Sequence, residues 1–191
     1  MRKRRSAISR GVLAAGAAAG LVAAAGSGSP ASAGERAQAA AATSTISMRS
    51  TTKTLRFTGS SSVKAGQPLR VRNLSDPRQH GPHTFTLIAA NAIPKSARAM
   101  RQCFTPGRIC MTVARAHEVD LETEKVGRQL TEGGQPGWDK RFSRTSKTGD
   151  SWYSEKKGEA FEQVVSARAG TVLRYFCAIH PDMQGKIRVT G

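Results

Sequence analysis

Two stretches of this 191-residue chain alternate apolar and polar residues at every second position, and a long segment between them does not. The first holds KTLRFTG at 53–59, KAGQPLRVRNLS at 64–75 and HTFTLIA at 83–89, each bounded by Gly, Ser, Asp or Pro. A period of two sends successive side chains to opposite faces of a strand. Leu69 and Val71 then face a core while Arg70 and Arg72 face water, as in antiparallel sheets with one wet side. After Asp150 the pattern returns as SWYSE, AFEQVVSA, TVLRYFC and GKIRVTG. In TVLRYFC the same period groups Leu173, Tyr175 and Cys177 on one face and Val172, Arg174 and Phe176 on the other.

Residues 91 to 150 are different in kind. They contain two clusters of Lys and Arg, two cysteines, and MTVARAHEVDLETEKVGRQL, in which Val113, Ala116 and Leu121 line a short helix ahead of the Gly-rich EGGQPG. The segment reads as a partly helical insertion on the sheet. Residues 34 to 52 are small, polar and without a period, and read as a flexible linker into a domain spanning 53 to 191. Before them, Arg2, Lys3, Arg4, Arg5 and Arg10 precede an uncharged 15-residue stretch from Gly11 to Ala25 and then ASA at 31–33. These are the three parts of a signal peptide over residues 1 to 33, and the apolar stretch falls short of the roughly 20 residues of a membrane span. The expected product is exported, with no integral membrane segment after processing.

Export changes the meaning of charge and of cysteine. Without the five basic residues of the leader, 25 Lys and Arg stand against 13 Asp and Glu. So basic a surface steers toward acidic proteins, anionic cell-surface polymers or phosphates. Only six Phe, two Tyr and two Trp are present, none interleaved with an arginine-rich tract, and an exported protein meets little nucleic acid, so that partner is excluded. In an oxidising compartment, Cys103 and Cys110 flank FTPGRI, whose Pro106-Gly107 pair favours a tight turn, and a disulfide between them is expected. Cys177 is left without a partner.

That leftover thiol lies in YFCAIHPDMQG, where Cys177, His180 and Met183 follow one another at intervals of three. Thiolate and thioether are soft ligands and imidazole suits copper, so two His, one Cys and a weak axial Met form the donor set of a blue-copper site. The loop supplies three of the four. The fourth should be a histidine from another strand end: His83 opens a strand and is preferred over His80 on the preceding loop, with His117 in the insertion. A zinc site would not favour the thioether and would want a second Cys pair. A Cys–His nucleophile would need an oxyanion site and an oriented base, which CAIHPDM does not suggest.

KAGQPLRVRNLSDPRQHGPHTFTL, followed later by ARAGTVLRYFCAIHPDMQGKIRVTG, resembles the cupredoxins, specifically the small plastocyanin- and amicyanin-like blue copper proteins. The likeness covers residues 53–90 and 150–191, and the two-residue gaps between ligands are similar to the short amicyanin-type loop. It implies an all-β, Greek-key β-sandwich holding one type 1 copper ion. Cys177 would be the thiolate ligand, His83 and His180 the imidazoles and Met183 the axial sulfur, with Asn73 and Asp76 bracing the loop before His83. The family commonly carries Asn directly after the first histidine; Thr84 stands here. The implied role is that of a monomeric one-electron carrier rather than an enzyme, working with an acidic redox partner that docks on Gly81, Pro82, Ile179 and Pro181 around the edge of His180. The alternative is a protein that buffers, delivers or senses copper. One cysteine in the ligand loop excludes a binuclear purple site, and the lack of paired His-x-His segments excludes a three-copper cluster.

Overall fold

The computed structural model describes residues 43 to 191. The expected leader, and the linker as far as Ala42, lie outside the described residues. Strands β1 (Ser44–Ser50), β2 (Leu55–Gly59), β3 (Ser62–Lys64) and β4 (Pro68–Asn73) come first, then a single helical turn α1 (Pro77–His80) and β5 (His83–Ile88). Next come helices α2 (Ala97–Arg101) and α3 (Ile109–Ala116) with the two-residue β6 (Leu130–Thr131). The chain closes with β7 (Ser151–Ser154), β8 (Ala160–Val164), β9 (Val172–Phe176) and β10 (Gln184–Thr190).

These elements form an all-β sandwich of two sheets, ordered β2-β1-β4-β8 and β3-β10-β9-β5-β7-β6. Between them lies a core that includes Ile46, Leu69, Val71, Phe85, Leu87, Leu173, Tyr175 and Ile187. The alternation read from β4 holds: Leu69 and Val71 are fully buried while Arg70 and Arg72 are exposed.

Three expectations are corrected. Both sheets are mixed rather than antiparallel, because β1 runs parallel to β4 and β3 parallel to β10. The cause of the first pairing is β1 itself, which occupies part of the stretch read as a flexible linker. Within STISMRS, Ile46 and Met48 alternate with Thr45, Ser47 and Arg49 and are fully buried. Two apolar positions in a run of small polar residues are a weak local signal, but slotted between β2 and β4 they close the core. Leu121, grouped with Val113 and Ala116 on one helix, lies beyond the end of α3 and is exposed.

The segment from 91 to 150 is built into the sandwich. Trp138 enters the main core and meets Phe85 edge-on at 5.0 Å between centroids. Ile88, Cys103, Cys110, Val113, Phe142, Phe176 and Ala178 form a second core on the outer face of the larger sheet. Hence Phe176, on the face opposite Leu173 and Tyr175, is also buried, and every residue of β5 is inaccessible. Sealing the lid is the expected disulfide, Cys103 to Cys110.

Candidate metal centre

Antiparallel pairing of β5 with β9 places the start of the first strand beside the end of the second, with Thr86 opposite Phe176. His83 opens β5 and Cys177 follows β9 directly, so residues 94 apart in sequence reach one end of the sandwich. The loop then folds back on itself, because Cys177 N–H donates to the Met183 carbonyl at 2.9 Å and Met183 N–H to the His180 carbonyl at 2.9 Å. Gln184 closes it from outside by donating to the Pro181 and Pro94 carbonyls at 2.7 and 2.8 Å.

The outcome is a cluster of His83, Cys177 and His180 whose candidate ligand atoms lie within 4.8 Å of one another. Nδ1 of His83 is 3.8 Å and Nδ1 of His180 3.6 Å from Cys177 Sγ, and the two rings stand 4.8 Å apart between centroids. Met183 is buried in the same core cluster as Cys177. His83 and Cys177 are fully buried, but His180 retains partial exposure, as do Gly81, Pro82, Ile179 and Pro181. His80 ends α1 outside the cluster, and its Nε2 is buried without a hydrogen-bond partner. His117 follows α3 within the insertion, its ring bonded to Ser151 and Arg128.

Electrostatics keep the imidazoles neutral. Burial, aided by the neighbouring His180 and His80, pushes His83 down to about 4. Burial likewise lowers His180, against an opposing pull from Asp182. A neutral ring leaves a nitrogen lone pair for a metal. Burial raises the Cys177 thiol, opposed by N–H groups of Thr84, His180 and Ile179 that favour the thiolate. A metal bound here would therefore displace a thiol proton.

Neighbouring side chains hold this frame. Thr84 N–H donates to Cys177 Sγ at 3.3 Å, and Thr84 Oγ1 accepts from Ala178 N–H at 2.7 Å. Thr84, at the position where the resemblance would place an asparagine, thus ties the two ligand-bearing segments together. Asn73 donates through Nδ2 to Ser154 Oγ at 3.0 Å, and Ser154 is the register partner of His83. Asp76 instead caps α1 by accepting from Arg78 N–H.

Two imidazole nitrogens, one thiolate-forming sulfur and a buried thioether on one loop fit a single copper ion of type 1. The two-sheet sandwich with this cluster at one end is cupredoxin-like.

Neither a family model nor a curated protein matches the sequence. Among solved structures, the chain is similar to auracyanin B, with 16% identity over 77% of this chain and 88% of that one and a TM-score of 0.42. It is also similar to the reduced auracyanin of Roseiflexus castenholzii, at 14% identity over 77% and 97% with a TM-score of 0.37. A third is auracyanin A of Chloroflexus aurantiacus, described as a blue copper protein, at 16% identity over 76% and 98% with a TM-score of 0.38.

Sequence reasoning missed β1, the entry of Trp138 into the main core, and the burial of His117. A lone Trp in QPGWDK and a lone His in ARAHEV carry no periodic signal that could have placed them.

Proposed function

We propose that this protein is an exported mononuclear type 1 copper protein that carries one electron at a time, with His83, Cys177, His180 and Met183 as the metal ligands. The observation that carries the reading is the convergence of Cys177 Sγ with Nδ1 of both histidines at one end of the sandwich. Copper held there supplies one-electron chemistry between Cu(I) and Cu(II). The chain's own part is to keep the donors in place in both states. His83 is set by a central strand, Cys177 by the end of β9 and the Thr84 N–H, and the His180–Met183 segment by its internal hydrogen bonds. Donors held this firmly move little on electron exchange, which favours a fast one.

His180 is the only histidine of the cluster that retains exposure, as do Gly81 and Pro82 ahead of His83 and Ile179 and Pro181 on either side of His180 in sequence. That rim suits brief docking, since weak redox encounters bury less than about 1,200 Å². The surplus of Lys and Arg favours an acidic partner, whose association then weakens with salt.

The test is the optical spectrum of the Cu(II) protein beside its Cys177→Ala variant. An intense visible thiolate-to-copper band in the first and none in the second is the expected result. A band that persists without Cys177 overturns the ligand assignment. Rapid loss of Cu(I) to a chelator, with slow electron exchange, would favour copper delivery instead.

A further inference from the structure

Beneath the insertion runs a line of buried polar side chains that ends at the candidate metal centre. His117, following α3, has Nδ1 2.7 Å from the Arg128 carbonyl and Nε2 2.8 Å from Ser151 Oγ. Ser151 Oγ is 2.7 Å from Thr86 Oγ1, which is 2.9 Å from Thr84 Oγ1. Thr84 in turn accepts from Ala178 N–H and gives its own N–H to Cys177 Sγ. All four side chains are at most 1% exposed. Buried hydroxyls persist only when paired, and the far end of this chain is paired by a residue of the insertion.

Counting hydrogens shows what the ring controls. Each hydroxyl has one to give, so the chain has two complete orders. In one, Ser151 donates to His117, Thr86 to Ser151 and Thr84 to Thr86, and the sulfur receives no hydroxyl hydrogen. In the other, the ring donates from both nitrogens, every hydroxyl passes its hydrogen toward the centre, and that of Thr84 is released to Cys177. The heavy-atom angles between the threonines suit Thr86 as donor, as in the second order. The Arg128 carbonyl can only accept, so Nδ1 carries a hydrogen. Either order runs through the same four side chains, so the place of Thr84 depends on the ring at the far end.

We propose that His117 is a positioning residue for Cys177: acting through Ser151 and Thr86, it holds Thr84 where its hydroxyl accepts from Ala178 N–H and its own N–H reaches the sulfur. This makes the insertion a tuning element of the centre. The effect on copper rests on the functional reading above; the effect on the loop does not.

The experiment pairs His117→Phe, which removes the ring nitrogens, with His117→Gln, whose amide can still donate to the Arg128 carbonyl and accept from Ser151. Thr86→Val breaks the chain midway at constant shape and covers the case in which the phenylalanine variant does not fold. In metal-free protein, hydrogen exchange at Ala178 N–H should quicken about fivefold or more in the Phe and Val variants, relative to Val71 N–H in the other sheet. It should return toward wild type in the Gln variant. In copper-loaded protein, displacement of Thr84 should alter its N–H bond to the sulfur and move the charge-transfer band in the Phe and Val variants but not in the Gln variant. Unchanged exchange at Ala178, or the same acceleration at Val71, overturns the proposal. So does a band that stays in place while exchange responds. Failure to bind copper would overturn the functional reading alone, and the exchange measurement would still decide whether His117 positions the loop.

Discussion

Acid should loosen the metal-free protein chiefly through His83. This ring is fully buried and titrates at about 4, against 6.5 when free. Its folded form therefore resists protonation that the unfolded chain accepts readily. The stability concerned is present above 6.5 and is lost as pH falls through the folded value. At about 1.36 kcal/mol for each pH step between the free and folded values, the full loss is about 3 kcal/mol, of which about 2 kcal/mol has gone by about pH 5. His180 and His117 are also lowered by burial and act in the same sense. Asp150 acts oppositely, since burial raises its carboxyl despite N–H bonds from Gly133, Asp139 and Lys140, so protonating it favours the fold. The assay is urea unfolding of chelator-treated protein at about pH 7.5 and about pH 5, where an m-value of about 2 kcal/mol/M turns the His83 share into a midpoint change of about 1 M. His83→Gln should remove most of that share. Equal midpoints at the two pH values, or a variant that keeps the whole slope, would refute the reasoning.

Three further outcomes are expected. Met183→Leu should retain copper and raise the potential, because a weak axial donor is lost while the stronger ligands remain; metal analysis showing loss of the ion would exclude an axial role. Replacing both Cys103 and Cys110 by Ala should cost about 2–3 kcal/mol, as expected for opening a short cross-linked loop, and should leave the visible band in place, which thermal melts and spectra of the copper protein can check together. Gly185 lies opposite Tyr175 in the β9–β10 ladder, and a Cβ there would run into the aromatic ring. Gly185→Ala should therefore destabilise by about 1–3 kcal/mol, and an unchanged melting midpoint would show that Tyr175 can move aside.

What was legible in the sequence was whatever one strand or one loop encodes by itself. Alternation in LRVRN and VLRYF assigned their inward faces, because a pleated strand has a period of two wherever it sits. The spacing of Cys177, His180 and Met183 announced soft-metal chemistry because all three sit on one short loop. The Pro-Gly turn between Cys103 and Cys110 foretold their bond for the same local reason.

Tertiary structure alone decided the rest. Nothing within STISMRS says that it will lie between β2 and β4, since a strand with two apolar residues gains its stability from neighbours supplied by other parts of the chain. Phe176 has the outward parity of a wet residue and is dry only because the insertion covers it. His117 is far from Thr84 and Cys177 in sequence, and its connection to Thr84 exists only where β5, β7 and the insertion meet. Local periodicity carries the direction of each side chain, but whether that direction ends in water, in a core or on a hydrogen-bond partner is settled by long-range packing.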